Sequence, residues 1–348
     1  MFIEKNKKSI LQIITSIVLI LLAFVLSGVI ILFMGYSPIE AFGSLLKGAL
    51  GNRRAIFNTI AMSIPLMFTG LSVAVGQRGG MFNIGAEGQL YMGGMGFVIS
   101  ALFLKSLPGI ILLPISILIG MGVGALWGSI AGILKAKFEI NEVIVCIMLN
   151  YIATFFTSYL VNAPLKGDGM EAQTDVIPQA AQIARYTNDS LLGNSIIIAL
   201  VVVALLYILL WKTTWGYKIR AVGQNKDAAK TAGINVTLTT ILTMALAGSI
   251  AALAGITTIS GTIYRFRDGF SPSYGFTGIA VAILGNNNPI AIIFTSLLFG
   301  ALNAGSMNMS MTTSISPNMT LVIQSLVIML VSAPRMIELI NRRKKVVA

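Results

Sequence analysis

Histidine is absent from this 348-residue chain, cysteine occurs once, and charged residues make up only 10%. Without histidine, imidazole-based zinc sites and His acid–base catalysis are excluded. The single cysteine, Cys146, rules out a disulfide within the chain. Set in an apolar run, it reads as a buried, inert thiol. No Gly-x-x-x-x-Gly-Lys-Ser/Thr loop occurs, so the chain has no P-loop with which to cradle nucleotide phosphates. No carboxylate pair shares an apolar segment, which argues against a membrane-embedded enzyme. The net charge of +12 is spread over several breaks between apolar runs. Membrane orientation accounts for that spread better than nucleic-acid binding does.

Apolar sequence is abundant. Hydrophobic residues make up 56% of the chain, and the mean hydropathy is +0.86. Residues 10–34, 55–76, 106–134, 143–165 and 190–211 carry no charge. A helix needs roughly 20 apolar residues to cross a bilayer, so each run is long enough to span. Residues 89–104 and 233–264 can each hold one more span. The charge-free stretch 269–334 is too long for one helix; Asn286-Asn287-Asn288-Pro289 and the Gly/Ser/Thr/Met-rich segment 305–317 divide it into three. The expectation is an all-α, multi-pass membrane protein of about ten transmembrane helices, forming one transmembrane domain over 1–348.

With the N-terminus in the cytoplasm, sixteen of the 24 lysines and arginines fall inside and eight outside. This favours cytoplasmic N- and C-termini and an uncleaved first span. The acidic stretch with Asp168, Glu171, Asp175 and Asp189 then lies in the largest external loop. A weak internal repeat is also visible. An aromatic–Gly passage, an apolar run ending in glycine and a proline recur in the same order at 82–108 and 274–289. The repeat units are read as 55–163 and 236–340, entering from opposite faces as inverted repeats do in transporters.

Chemistry in such a chain is carried by what interrupts the apolar runs. Asn83, Glu87 and Gln89 lie in a Gly-rich apolar stretch, and Glu87 either faces a pathway or pairs with Arg78. Asn141 and Glu142 precede the fifth span. Asn150, Thr154 and Ser158 share one face of it, either bordering a polar solute or bonding to another helix. Gly120, Gly124, Gly128 and Gly132 mark a close-packing helix face, and Pro65 and Pro114 predict kinks. In the cytoplasmic loop 212–235, Asn225 is a helix N-cap, and Lys226, Asp227, Ala228 and Ala229 begin a short basic helix that Gly233 ends. Its small-residue surface suits insertion into a protein cleft.

Phe82-Asn83-Ile84-Gly85-Ala86-Glu87-Gly88-Gln89, Asn141-Glu142-Val143-Ile144, Ala228-Ala229…Gly233-Ile234 and Gly278-Ile279-Ala280-Val281-Ala282-Ile283-Leu284-Gly285 follow one another in a familiar order. Together they resemble the permease subunits of bacterial ABC importers for ribose-like sugars, branched-chain amino acids and nucleosides. Asn141-Glu142-Val143-Ile144 running into Met148-Leu149-Asn150-Tyr151-Ile152 looks most like the nucleoside permeases. The resemblance implies a type II importer fold and a cytoplasmic-membrane location. It also implies that the loop around Ala228 and Gly233 is the coupling helix docking on a separate ATP-binding subunit. Lys226 stands where the family often has proline. The implied partners are that ATPase, a second permease (a related chain or a second copy) and an extracytoplasmic substrate-binding lipoprotein. No cofactor is expected on this chain, ATP being used by the partner. Nucleosides are the expected cargo, with a simple sugar such as ribose as the alternative. A proton-coupled secondary transporter would need embedded acids, of which only Glu87 and Glu142 offer themselves.

Overall fold

The computed structural model describes residues 2–187, 189–316 and 318–330, with side chains from residue 18 onward. The expected end of the second repeat unit, 331–340, and Arg335, Arg342, Arg343, Lys344 and Lys345 lie outside the described residues. The described chain is helical apart from irregular connections and two isolated β-bridges, Gln173 with Arg267 and Arg185 with Gly193. In order the helices are α1 (Phe2–Phe33), α2 (Pro38–Leu50), α3 (Arg53–Arg78), α4 (Ala86–Phe103), α5 (Gly109–Phe138), α6 (Glu142–Asn162), α7 (Ser195–Lys212), α8 (Thr214–Gln224), α9 (Lys226–Thr231), α10 (Val236–Thr258), α11 (Tyr274–Leu284), α12 (Pro289–Thr313) and α13 (Met319–Leu330). A π-turn, Ile259–Ile263, extends α10. Among the described residues, α3, α5, α6, α7, α10 with its π-turn, and α12 are long and apolar enough to cross a membrane.

The chain divides into two compact units, and the divisions fall within α3 and α12. In the unit of residues 60–300, α4, α5 and α10 form the centre. The glycine face predicted on α5 is used for packing. A Cβ on Gly124 would lie 2.6 Å from the Ala252 Cβ and the Gly248 carbonyl oxygen, and one on Gly128 would lie 2.5 Å from the Met244 oxygen. Backbones approach this closely only where side chains are missing. On the outside of the same helix, Leu118 and Leu126 are exposed, as a lipid-facing surface requires. Pro65 and Pro114 both sit inside continuous helices.

The other unit, 1–59 and 301–348, gathers Ile31, Ala41, Leu45, Leu302, Met309, Ile315, Met319 and Ile323 into one apolar core. Helix α2 was not expected from the sequence, which treated Lys47 as a loop charge. Pro38 at its first turn and the Ser37 side chain accepting from the Glu40 N–H start it, and Ala41, Leu45 and Ala49 are its buried face. The break expected across 305–317 is shorter than predicted. α12 continues to Thr313 because Gly305 lies against the Leu45 carbonyl and the Asn308 amide donates to the Ser44 carbonyl at 2.7 Å.

Candidate functional site

The break between α3 and α4 is tied by amide side chains. Asn83, fully buried, donates to Ser72 Oγ and to Gln89 Oε1, each at 2.9 Å. Its own oxygen accepts from Gln89 Nε2 at 3.0 Å and from the Gly85 N–H at 3.1 Å. Ser72 in turn donates its hydroxyl to the Ala247 carbonyl of α10 at 2.7 Å. Asn150 of α6 reaches the same break, accepting from the Gly88 N–H at 2.8 Å and donating to the Ile84 carbonyl at 3.0 Å. Buried polar groups carry a high cost unless bonded, and here each amide is bonded through both its ends.

Glu87 begins α4, 7% exposed, and Oε2 of its carboxylate accepts the Gly275 N–H in the first turn of α11 at 2.6 Å. A carboxylate at a helix N-terminus is favourably placed against the helix dipole. The pairing with Arg78, one of the two readings open for Glu87, is not formed. Arg78 instead donates through Nε to the Asn287 carbonyl and through Nη2 to the Asn286 carbonyl, both at 3.1 Å, and its guanidinium lies 5.3 Å from the centre of the Trp211 ring. The turn after α11 offers Arg78 two carbonyls, and the Gly275 N–H has already taken Glu87.

A cavity of about 80 Å³ lies between α3, α7, α10 and α11. Its walls are mainly apolar, with Ala61, Met62, Ile64 and Pro65 of α3 among them, and Ser195, Thr257, Thr258, Thr262 and Tyr274 add hydroxyl groups. The π-turn of α10 forms one side; such turns free backbone carbonyls from their usual helical partners. Arg185 takes two of these, donating to the carbonyls of Gly261 at 2.9 Å and Thr262 at 2.6 Å, with its guanidinium over the Tyr264 ring. Backbone bonds from Thr174 to Phe266, Ile177 to Tyr264 and Ile183 to Ser260 lay the long α6–α7 connection along this segment. Nothing in the local sequence marks Arg185 or this pairing. The cluster of hydroxyls at 257–262 was the one available signal.

The remaining candidates on α5 and α6 are held by other contacts. Asn141 caps α6, its side chain accepting from the Val143 N–H at 2.9 Å, and Glu142 pairs with Lys135 at 2.8 Å. Thr154 bonds back to the Asn150 carbonyl at 2.9 Å, and Ser158 donates to Asp268 Oδ2 at 2.8 Å. The predicted polar face is therefore engaged in hydrogen bonds within α6, to the 82–88 break and to the α10–α11 connection.

Three polar caps cut the 212–235 stretch into separate helices. Thr213, Asn225 and Asn235 accept from the N–H groups of Gly216, Ala228 and Leu238. Gly233, at φ +79°, ends α9, and the Ile234 N–H returns to the Ala229 carbonyl at 3.0 Å. Asn225, Lys226, Asp227, Ala228 and Gly233 are exposed. Ala229 turns inward and is buried with Val222 and Ile234, so it holds the elbow together rather than facing outward. Beside it, Lys135, Glu139, Lys226, Thr237 and Thr240 border a recess of about 300 Å³.

Residues 55–332 match the family described as branched-chain amino acid transport system / permease component, and the chain belongs to that family. It is 35% identical, over 97% of its length and 95% of the relative's, to the nucleoside ABC transporter permease protein NupB of Lactococcus lactis subsp. cremoris. It is 32% identical, over 97% of its length and 98% of the relative's, to the guanosine ABC transporter permease protein NupP of Bacillus subtilis. It is also 31% identical, over 90% of its length and 86% of the relative's, to the glucose ABC transporter permease protein TsgB13 of Haloferax volcanii.

Proposed function

We propose that this permease carries nucleosides across a bacterial cytoplasmic membrane, driven by a separate ATP-binding subunit that docks on the α8–α9 elbow. The observation that carries the reading is the elbow itself. It presents exposed Asn225, Lys226, Asp227 and Ala228 on a helix capped at both ends and anchored from behind by Ala229. A short stiff helix of this kind can receive a push and pass it on without unfolding. The chain binds no nucleotide itself in this reading. A second permease copy or related chain and an extracytoplasmic binding lipoprotein complete the importer.

About ten spans are proposed, with both termini cytoplasmic; α4, α13 and α1 join the six long apolar helices, and α11 together with the connection that leads into it makes the tenth. The starts of the two proposed repeat units' middle helices, α4 and α11, touch through Glu87 and Gly275, which supports a symmetric relation between 55–163 and 236–340. With its 11 residues, α11 covers roughly 16 Å of a hydrocarbon core about 30 Å thick, so its N-terminus stops near the midplane. The mainly apolar cavity beside Tyr274, with its few hydroxyl groups, then lies at the depth where transporters bind cargo. Asn83, Gln89 and Asn150 serve this path by holding the α3–α4 break in shape, and Glu87 by fixing the start of α11; Asn141, Glu142, Thr154 and Ser158 order the helix beside it.

Nucleosides are preferred because the relatives named for nucleoside and for guanosine transport align over nearly the whole chain. The glucose permease keeps a sugar as the second reading. Uptake of labelled guanosine and uridine, with and without excess unlabelled ribose or glucose, separates them in cells lacking other nucleoside importers. Nucleoside uptake that persists undiminished under sugar excess and stops without the ATPase subunit supports the proposal. Uptake of sugar alone overturns the cargo assignment.

A further inference from the structure

We infer that Arg78 is the positioning residue through which movement of the α8–α9 elbow reaches α11, and through it the wall of the Tyr274 cavity. The inference rests on the ATP-driven reading above and adds the internal link that reading leaves open.

The link begins where α8 meets the end of α3. Gly223, in the last turn of α8, lies so close to the Arg78 carbonyl that a Cβ would overlap it, and it also abuts Gly80. Gly80 takes φ +73°, which directs the chain away sharply after α3. Backbone therefore rides on backbone, with no flexible side chain to absorb a displacement. The Arg78 side chain carries the contact onward. Its fork grips the carbonyls of Asn286 and Asn287, and its face lies over Trp211 at the end of α7. Arginine can do both at once because its guanidinium is planar and offers several fixed donors; a lysine ammonium cannot.

The gripped turn is rigid. Asn286 and Asn287 both sit at φ +53°, and their N–H groups close the end of α11 on the carbonyls of Ile283 and Ala282. The Asn287 amide also donates to Gln77 Oε1 at 2.6 Å. At its other end α11 is held by Glu87 through the Gly275 N–H, next to Tyr274 in the cavity wall. A rod of three turns fixed at both ends moves as one piece. Displacing the 286–287 turn reorients Tyr274 against Pro65, Ser195, Thr257 and Thr258. Two other residues support the device without replacing it: Gln77 braces the turn, and Trp211 limits where the guanidinium can go.

The complete importer reconstituted in vesicles, with ATP hydrolysis and nucleoside uptake measured together, tests the inference. Arg78→Gln is expected to keep hydrolysis while uptake per ATP consumed falls about tenfold, within the range of ordinary site-to-site coupling. Arg78→Lys, which keeps the charge and one donor at a time, should recover part of it. A staple with only a structural role would lower the yield of assembled importer and leave uptake per ATP unchanged; that result overturns the inference. If the wild-type importer takes up nucleoside without ATP, the ATP-driven reading itself fails, independently of Arg78. A second measurement does not depend on an Arg78 variant folding. With Trp127→Phe and Trp215→Phe in place, Trp211 is the lone indole of this chain, and its emission, taken as the difference from the same importer carrying Trp211→Phe as well, should shift when a non-hydrolysable ATP analogue closes the ATPase. Unchanged emission in an importer that still transports also overturns the inference.

Discussion

The Glu87 carboxylate and the Gly275 N–H meet at 2.6 Å across 188 residues of chain. They join the starts of α4 and α11, and a Cβ at Gly275 would overlap the Glu87 backbone. An acid buried in a transporter invites a proton-carrying role, but this one is engaged as an acceptor at a helix N-terminus.

Replacing Glu87 by glutamine keeps an oxygen for the Gly275 N–H and removes the charge, at about half the bond strength. Most ATP-driven uptake should survive in Glu87→Gln and be lost in Glu87→Ala. A proton-coupled mechanism predicts instead that both variants stop, and that wild-type vesicles without ATP follow an imposed pH gradient. Initial uptake rates under the two driving forces decide the matter.

Close packing of α5 on α10 makes a contrast between two neighbouring glycines. Gly124→Val forces side-chain atoms into Ala252 and Gly248 and should destabilise the protein by about 1–3 kcal/mol. Gly122 has nothing within 4 Å of its would-be Cβ, so Gly122→Ala should leave the melting temperature in detergent at or above the wild-type value. Equal melting of the two variants would refute the packing role assigned to the glycine face.

Asn83→Leu removes the hub of the α3–α4 break and strands the Gln89 side chain and the Gly85 N–H in the interior. Each stranded group costs about 1–3 kcal/mol, so lower thermal stability and lower yield are expected. Asn150→Leu should act in the same direction through Gly88 and Ile84 while leaving association with the ATPase subunit intact, as co-purification would show.

Two substitutions probe the elbow from opposite sides. Ala229→Glu puts a carboxylate between Val222 and Ile234 and should displace α9, abolishing capture of the ATPase subunit by the inserted permease. Gly233→Asn, tolerated in the left-handed region, should retain capture. Gly233→Val forces a β-branched residue to φ +79°, costs about 1–2 kcal/mol and should weaken it. Capture by all three variants at the wild-type level would remove the elbow from the docking surface.

How much of this was legible can be judged from particular residues. The run 55–76 became α3 within two residues at each end, and the glycines spaced by four on α5 face α10 as their period requires. Asn225 and Gly233 cap and end α9 as their types dictate. Helix α2 was missed because its short amphipathic pattern, broken by Lys47, is weaker than any span. Arg78 is legible as a charge at a helix end, but its partners, the carbonyls of Asn286 and Asn287, are not: the sequence offers Glu87 as one possible partner and nothing that points to the turn after α11. The Arg185 contacts with Gly261 and Thr262 have no mark around Arg185 and only the hydroxyl cluster of 257–262 around their acceptors.

The order of apolar runs and polar caps, read along the chain, determined that it is a multi-pass membrane protein and where helices such as α3 and α9 start and stop. Both follow from forces that act within a few residues: the cost of exposing apolar surface to water, and of leaving helix-end N–H groups unbonded. Tertiary structure alone decided that Arg78 grips the turn after α11 and that Glu87 holds its first turn. Those choices depend on the rotation and depth at which separate helices come to rest, and the partners lie some 190 to 210 residues apart. No local periodicity encodes such a distance.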